Sequence, residues 1–489
     1  MGHPKALWQL FNIELWERFA YYGMRALLAV YVATQFYSTM GQAEANAQAS
    51  LIYGGYTALV YATGIAGGYV ADRILGYQRS ILLGALIMAA GLFVLLIEDL
   101  NWFLVGLALI VAGNGLFKPN ISTMIGQLYA PGDVRRDSGF TIFYMGINLG
   151  AFVAPMITAS WIGASYGMKY GFFAAGIGMI LSTLFLEFAK KSLGKVGLPE
   201  EGKAGWGRFF VVGAAALALA FVVYFLLTAS TVLGYLLVGI MVGLCVYFVM
   251  SGFKKGKVQM HRYIAMLILF MANACFWALF EQAGSSLNFF AREFTTPMYG
   301  DMATWQAGGF GIFQSLNPLY ILLFAPVFAA AWPKLEKMGM NPSIPRKFAL
   351  GLIQVALGFY ILVFAISNLQ NAAGLVPWIF LALCYLLHTT GELCLSPIGL
   401  SMVTKLADEH EVGLAMGGWF LSIAMAQYVA GLIAAIASGG GAVTHGGEAV
   451  STAAQYADTY MQLFYLGITF GAVYFFAAPL VNKLMHGVK

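Results

Sequence analysis

Long apolar runs separated by short polar connections dominate the chain. A membrane-spanning helix needs about 20 mostly apolar residues, and fourteen stretches of this sequence meet that requirement. The runs do not alternate apolar and polar positions with a period of two, which excludes a membrane barrel. The predicted spans lie at 7–37, 50–73, 77–97, 101–128, 139–164, 170–190, 206–228, 231–252, 261–294, 305–333, 346–368, 376–404, 411–438 and 458–485. The pattern therefore predicts an all-α polytopic membrane protein.

Lysine and arginine residues gather in alternate connections, and cytoplasmic loops are the ones that collect these residues. They fill the second, fourth, sixth, eighth and tenth connections, follow the twelfth span and end the chain: Arg73, Arg79, Arg135, Arg136, Lys190, Lys191, Lys195, Lys203, Arg208, Lys254, Lys255, Lys257, Arg262, Lys334, Lys337, Arg346, Lys347, Lys405, Lys483 and Lys489. The connections between them are nearly free of basic residues, with Lys169 and Arg292 as exceptions. Both termini are therefore predicted to be cytoplasmic.

The sixth and eighth connections are both basic, so the seventh and eighth helices form a hairpin that leaves and returns on the cytoplasmic side. Removing this hairpin leaves six helices followed by six more. That count predicts the major facilitator fold, whose halves are related by an axis along the membrane normal. We expect an N-terminal six-helix bundle at 1–190, a cytoplasmic linker and two-helix insert at 191–258, and a C-terminal six-helix bundle at 259–489.

Composition excludes several classes of protein. Hydrophobic residues make up 60% of the 489 residues and charged residues 10%, whereas soluble domains carry about a quarter charged residues. The basic residues do not form the single basic face of a nucleic-acid-binding protein. No GxxxxGK[ST] occurs, so the energy for any active transport would have to come from an ion gradient. The four cysteines lack metal-ligand spacing and are expected to be free thiols. We expect no cofactor.

The first predicted helix carries the densest set of ionisable residues. Glu14, Glu17, Arg18 and Arg25 are spaced by three, four or seven, which places them on one helical face. Charges inside a span are costly and mark functional sites by default. Two carboxylates and two guanidiniums on one face can pair, which lowers the cost of burial. The alternative is a purely structural salt-bridge ladder or a helix end in the lipid headgroups.

The other charges within predicted spans are sparse. Lys118, Glu281 and Glu392 each lie alone in an apolar run, and the amides of Asn148 and Asn317 accompany them. Because Lys118 and Glu392 lie in different halves, we expect them to pair as a gate when the halves close on one side. His388 precedes Glu392 by one turn and is interpreted as a packing residue rather than a proton relay. Gly64 and Gly68 are expected to provide close helix packing.

Three segments resemble the proton-dependent oligopeptide transporter family of the major facilitator superfamily. Residues 14–23 match its first-helix motif ExxERFxYYG, residues 67–76 match GGxxADRxxG, and residues 143–150 match FYxxINxG. The contexts of Lys118, Glu281 and Glu392 also fit. A single match would be weak, but the set falls in order between residue 14 and about residue 420. The two-helix insert is typical of bacterial members.

The resemblance implies a role for each matching residue. Arg18, Arg25 and Lys118 would receive a peptide's terminal carboxylate, and Glu281, Asn148 and Asn317 would receive its ammonium group and backbone. The proton-coupling set would be Glu14, Glu17, Arg18 and Glu392. The remaining pocket residues would be Tyr22, Tyr61, Trp277, Glu392, Ser396 and Trp419. A proton-coupled symporter importing di- and tripeptides by alternating access follows from these roles, with H⁺ as the coupling ion.

Three rival functions stay open. A transporter of this family could carry nitrate or another small anion, and a relative of the same fold could export drug-like molecules. A membrane-embedded enzyme would need a catalytic constellation, yet no HExxH or GxSxG occurs.

The protein is expected to be a monomer in the inner membrane of a bacterium, in contact with lipid, peptides and protons. The first span lacks a small-residue cleavage site and is expected to remain as a helix.

Overall fold

A computed structural model describes residues 2–130, 133–199, 205–439, 443–445, 448–450 and 452–488. These residues form seventeen α-helices and two short strands. The helices are α1 (Lys5–Tyr31), α2 (Gln42–Val70), α3 (Tyr77–Val94), α4 (Leu100–Gln127), α5 (Arg136–Pro155), α6 (Ala164–Tyr166), α7 (Met168–Leu193), α8 (Trp206–Thr228), α9 (Ser230–Lys255), α10 (Lys257–Phe280), α11 (Ser286–Phe294), α12 (Met302–Ala307), α13 (Leu316–Lys337), α14 (Ile344–Asn368), α15 (Trp378–Leu406), α16 (Val412–Gly439) and α17 (Ala453–Leu484). Strands β1 (Val443–His445) and β2 (Glu448–Val450) pair antiparallel.

Several helices continue through non-α turns. π-Helical segments extend α1, α2 and α5 at Val32–Phe36, Ala71–Leu75 and Met156–Gly163. Short 3₁₀ segments, Glu281–Gly284 and Gly309–Ser315, precede α11 and α13. Such turns interrupt the regular hydrogen-bond ladder and occur often at functional positions. The segment Glu281–Gly284 contains Glu281, and Gly309–Ser315 ends two residues before Asn317.

Twelve helical segments among the described residues are long and apolar enough to cross a membrane. Helices α1 and α2, with 27 and 29 residues, also have the length of a span. Their polar side chains lower their mean hydropathy, and in α1 these are the charged residues at 14, 17, 18 and 25. Together these elements give the fourteen membrane helices that the hydrophobic pattern predicts, and the all-α membrane fold is confirmed.

The described residues divide into two compact units, which we call unit 1 and unit 2. Unit 1 comprises residues 1–37, 59–229 and 299–319. Within it α1 packs against α5 and α7, α3 packs along α4, and α8 lies on α4. An aromatic cluster joins the ends of three helices, where the Tyr31 ring lies 4.9 Å from Phe172 and 5.6 Å from Phe103.

Unit 2 comprises residues 38–58, 230–298 and 320–489. Within it α14 packs against α15 and α17, and α10 packs against α16. The second helix of the predicted insert, α9, lies on α10 and α16. Large apolar side chains on α8 and α9, such as Phe210, Phe221, Tyr235 and Phe253, are exposed, as expected of helices that face lipid. The division of the chain at residues 190 and 258 stays a prediction.

A glycine allows two helices of unit 1 to come into backbone contact, but it is neither of the two glycines that the sequence indicates. A Cβ on Gly64 or Gly68 would meet nothing within 4 Å, so the expectation of close packing there is wrong. A Cβ on Gly67 would lie 1.7 Å from the carbonyl oxygen of Gly115. Helices α2 and α4 therefore cross with their backbones in contact at Gly67, which lies one residue before Gly68 and three residues after Gly64. Membrane helices associate through such close packing because lipid provides no hydrophobic drive between them.

Candidate functional site

A buried ionic cluster occupies the middle of α1. The Arg18 Nε atom lies 3.0 Å from Glu14 Oε1 and also forms an ion pair with Glu17. The side chains of these three residues are no more than 3% exposed. From α4, the Asn114 amide donates a hydrogen bond of 3.4 Å to Glu17 Oε1. The pairing that the helical spacing predicts is present, with a partner from a second helix.

Close packing of α5 and α7 holds this part of α1 in place. A Cβ on Gly150 would lie 2.3 Å from the carbonyl oxygen of Leu15, so only glycine lets α5 approach the backbone beside Arg18. From α7, the Ser182 hydroxyl donates to the carbonyl of Ile13 at 2.7 Å. Because the backbone of α1 is fixed on two sides, its ionisable side chains are presented in one orientation.

Arg18 retains hydrogen-bonding capacity within the cluster. Its Nη2 is buried and makes no hydrogen bond to any residue that the structure describes. A guanidinium has five donors in a planar fork that matches a carboxylate. The cluster can therefore offer a donor to a further anion without releasing both of its carboxylates.

Lys118 extends the cluster toward α2. Its ammonium lies 4.8 Å from the centre of the Tyr61 ring and interacts electrostatically with Glu14, Glu17, Arg18 and Arg25. When all are ionised, three cations face two carboxylates. This part of unit 1 therefore carries a surplus positive charge, as a binding site for a carboxylate requires.

The remaining predicted residues of unit 1 lie around these charges or on α5 and α13. The Arg25 guanidinium lies 5.9 Å from the Tyr22 ring, and both side chains are partly exposed. Asn148 is buried and donates to the Tyr144 carbonyl of its own helix at 3.0 Å. Asn317 is half-buried in the first turn of α13.

In unit 2, a chain of hydrogen bonds connects the two predicted tryptophans. The Trp277 indole donates to Asn273 Oδ1 at 3.0 Å, and the Asn273 amide donates to the Ser422 hydroxyl at 2.8 Å. That hydroxyl donates to the carbonyl of Trp419 at 2.7 Å. Neither Asn273 nor Ser422 was predicted from the sequence as a site residue. Asn273 could have been found as an amide in an apolar run, one turn before Trp277. No comparable signal in the sequence indicates Ser422.

The Trp419 side chain is buried in unit 2. Its ring packs edge-on against Phe270 and Phe348. A Cβ on Gly399 of α15 would lie 2.2 Å from the same ring. This contact couples the position of α15 to α16, because any larger residue at 399 would displace one of them.

The carboxylates predicted in unit 2 are both buried. Glu281 opens the 3₁₀ segment after α10, and Glu392 lies in the middle of α15 with half-buried Ser396 one turn later. One turn before Glu392, the His388 Nε2 lies 3.2 Å from the Val355 carbonyl, and its ring packs against Phe359. These contacts favour the interpretation of His388 as a packing residue.

A second ionic network lies at the connection between α15 and α16, where the sequence analysis proposed nothing. Glu411 accepts hydrogen bonds from Tyr247 at 2.8 Å, Ser251 at 2.7 Å and Tyr263, and Lys255 lies 3.2 Å away. Burial alone would raise the pKa of Glu411, but these hydrogen bonds lower its pKa to about 2. The network ties α9 and α10 to the start of α16.

The structure thus places the predicted site residues in both units. Unit 1 contains Glu14, Glu17, Arg18, Tyr22, Arg25, Tyr61, Lys118, Asn148 and Asn317, and unit 2 contains Trp277, Glu281, Glu392, Ser396 and Trp419. In unit 1, ion pairs join Glu14 and Glu17 to Arg18, and Lys118 lies over the Tyr61 ring. Asn148 bonds instead to Tyr144 of its own helix. Intramembrane charges of this kind mark substrate and ion pathways, so fold and site define a polytopic membrane transport protein.

Comparisons with known proteins specify the family. The model of the POT family matches residues 78–445. The chain is 37% identical to the peptide transporter YePEPT of Yersinia enterocolitica, over 88% of this chain and 88% of that protein. It is 31% identical to the dipeptide and tripeptide permease A of Edwardsiella piscicida, over 99% and 96%. A crystal structure of a mutant of the peptide transporter POT in complex with alafosfalin superposes with a TM-score of 0.82, at 36% identity, over 100% and 97%. The chain belongs to the POT family and has the major facilitator fold of its structural neighbours.

Proposed function

We propose that this chain is a proton-coupled symporter that imports di- and tripeptides by alternating access. The observation that carries the proposal is the buried cluster of Glu14, Glu17 and Arg18, with Lys118 beside it. A peptide is a zwitterion whose carboxylate and ammonium groups need partners of opposite charge. The relatives named as peptide transporters and permeases support that substrate class.

The cluster provides a physical route to coupling. Two carboxylates share one guanidinium, so a substrate carboxylate that binds Arg18 displaces either Glu14 or Glu17 from it. A glutamate that loses its cation gains proton affinity, because burial disfavours its ionised form. Peptide binding and proton binding then favour each other, as linkage requires of two ligands that share a partner.

The other predicted roles complete the proposal. Arg25 and Lys118 attract the peptide carboxylate, and Glu281 attracts its ammonium with help from the amides of Asn148 and Asn317. The aromatic residues Tyr22, Tyr61, Trp277 and Trp419, together with Ser396, contact the side chains of the peptide, because apolar and aromatic surfaces accept varied groups. Glu392 contributes to proton coupling and forms the gate with Lys118. H⁺ is the coupling ion, and the protein acts as a monomer.

We further propose that the protein lies in a bacterial inner membrane with both termini in the cytoplasm. The alternation of basic connections supports this orientation. The basic segment at 190–208 would then be cytoplasmic, although residues 200–204 lie outside the described residues. The connection at 439–452 would face the outside.

Uptake into proteoliposomes separates this function from its rivals. Labelled dipeptide is supplied outside, with an imposed inward proton gradient and with nitrate or a cationic dye as competitor. We expect accumulation that excess unlabelled dipeptide abolishes and that neither nitrate nor the dye reduces. Strong competition by nitrate would favour an anion transporter, and competition by the dye would favour a drug transporter.

A further inference from the structure

A cleft of about 590 Å³ opens in unit 2, separate from the residues assigned above. Its walls are the end of α11, the end of α14 with the connection that follows, and the first two turns of α17. The lining residues are Glu293, Phe294, Ile366, Ser367, Gln370, Ala373, Gly374, Leu375, Thr452, Ala453, Ala454, Ala457 and Asp458. With the proposed orientation, this cleft opens on the outer side of the membrane.

Glu293 is the buried charge of this cleft. Its side chain is 5% exposed, and its Oε1 accepts a hydrogen bond of 3.0 Å from the buried amide of Asn46. The Gln42 side chain also interacts with the carboxylate, and the Arg292 guanidinium is 4.0 Å away. The second oxygen, Oε2, is buried and makes no hydrogen bond to a described residue. Leaving a buried acceptor without a hydrogen bond is costly, the more so when it is charged, so Oε2 favours a donor in the cleft.

The remaining chemistry of the cleft favours a cationic donor. Asp458 contributes a second, exposed carboxylate, while none of the described lining residues is a lysine, arginine or histidine. The described residues contain no cluster of three or more His, Cys, Asp or Glu that could hold a metal ion. An ammonium group needs fewer fixed ligands than a metal, because its three N–H donors can each reach a separate acceptor. Ser367, Gln370 and Thr452 provide neutral acceptors beside the two carboxylates.

We propose that this cleft binds the ammonium group of a primary amine. For the substrate class proposed above, on which this part rests, that group is the amino terminus of a peptide arriving from outside. The volume lies within the roughly 300–1,000 Å³ typical of sites for small molecules. The cleft then acts as a first binding site that recognises the amino end of the substrate before the substrate reaches the residues assigned under the proposed function.

Zero-length coupling tests this assignment on the purified full-length chain in lipid nanodiscs. A water-soluble carbodiimide activates carboxylates, and mass spectrometry locates any amide formed with an isotope-labelled dipeptide. We expect labelling of Glu293 or Asp458 at least about fivefold above that of Glu98, an exposed carboxylate on the α3–α4 connection. The N-acetylated dipeptide, which lacks the amine, should give none. Equal labelling at Glu293, Asp458 and Glu98 would overturn the assignment. If ethylamine couples to Glu293 or Asp458 and the dipeptide does not, the cleft binds amines but the assignment to a peptide's amino terminus is wrong.

Transport kinetics provide a second, independent readout. Glu293→Gln retains an oxygen for Asn46, and Asp458→Asn changes an exposed residue, so both variants are expected to fold. We expect each to raise the KM for external dipeptide about three- to tenfold at unchanged maximal rate, because one charge-assisted contact is lost. Glu98→Gln should leave the KM unchanged. An unchanged KM in both cleft variants would contradict the inference, whereas absence of uptake by the wild-type chain would contradict the proposed function instead.

Discussion

Arg18 is the residue on which the proposed coupling depends, because it is shared by two buried carboxylates. Replacing Glu14 or Glu17 by Gln keeps the side-chain shape and removes the titratable group. We expect either substitution to abolish proton-driven accumulation of dipeptide, while exchange of labelled for unlabelled peptide without a gradient persists. Glu98→Gln is the control. Full retention of pH-driven uptake by both variants, measured in proteoliposomes, would remove these residues from the coupling mechanism.

Some contacts between individual side chains could be predicted from the sequence. The spacing of Glu14, Glu17 and Arg18 predicted that they share a helical face, and their contacts follow from that geometry. The bond from Asn114 could not be predicted, because it joins residues 97 positions apart and depends on how α4 crosses α1. The Glu411 network was missed for the same reason, since its partners come from two other helices, α9 and α10.

At the scale of helices, the crossing of α2 and α4 depends on one glycine. Gly67→Ala would place a methyl group against the backbone of Gly115, so the helices have to separate or shift. Overpacking of this kind costs typically about 1–3 kcal/mol. We expect a lower melting temperature and reduced uptake for Gly67→Ala, measured on detergent-solubilised protein and in proteoliposomes. Its neighbour gives a matched control: Gly68→Ala meets nothing within 4 Å and should melt within about 1 °C of wild type. Equal melting of the two variants would contradict this helix contact.

Glu411 predicts a pH-dependent link between α9, α10 and α16. Its pKa is lowered from an ordinary value of 4.5 to about 2, so its carboxylate stabilises the fold above pH 4.5. That contribution is lost as the pH falls from about 4.5 toward 2. We expect Glu411→Gln to lower the melting temperature at pH 7 by at least about 2 °C. The difference from wild type should shrink as the pH falls through this window.

The exposed neighbour of Glu411 provides the control for this measurement. Glu409→Gln should leave the melting temperature unchanged over the whole pH range, since Glu409 is exposed. A difference between Glu411→Gln and wild type that stays constant from pH 7 to pH 3 would contradict the assigned role of the carboxylate.

Helix boundaries were more predictable than helix interruptions. The predicted span at 206–228 coincides with α8 because a continuous apolar run ends at polar residues on both sides. The 3₁₀ segment that separates α10 from α11 lies inside one uninterrupted predicted span, 261–294. Hydropathy indicates burial in lipid and carries no information about backbone hydrogen bonding, so it could not predict this 3₁₀ segment.

For the whole molecule, the alternation of basic connections predicts orientation. In a variant without native cysteines, single cysteines at positions 195, 445 and 485 are exposed to a membrane-impermeant thiol reagent added outside intact cells. We expect labelling at 445 and none at 195 or 485, because the last two should lie in the cytoplasm. Labelling at 195 or 485 without labelling at 445 would reverse the proposed orientation.

The conformational change that moves the two halves cannot be predicted from the helix pattern or the composition. Lys118 and Glu392 were paired as a gate from their isolation in apolar runs, since lone intramembrane charges seek partners. Cysteines placed at both positions should cross-link in one state, and added dipeptide should suppress the cross-link. If no condition brings them within cross-linking range, the gate is wrong, and Lys118 is a substrate ligand only.

Coupled proton entry is the most direct test of the central claim. Proteoliposomes holding a pH-sensitive dye, at equal pH inside and outside and with the membrane potential clamped, receive dipeptide from outside. The proposed function predicts that the interior becomes acidic when dipeptide is added. No acidification is expected with a dipeptide that is N-acetylated and C-amidated, or in vesicles that contain the Glu14→Gln or Glu17→Gln variant. Dipeptide uptake without acidification would contradict proton symport in this chain.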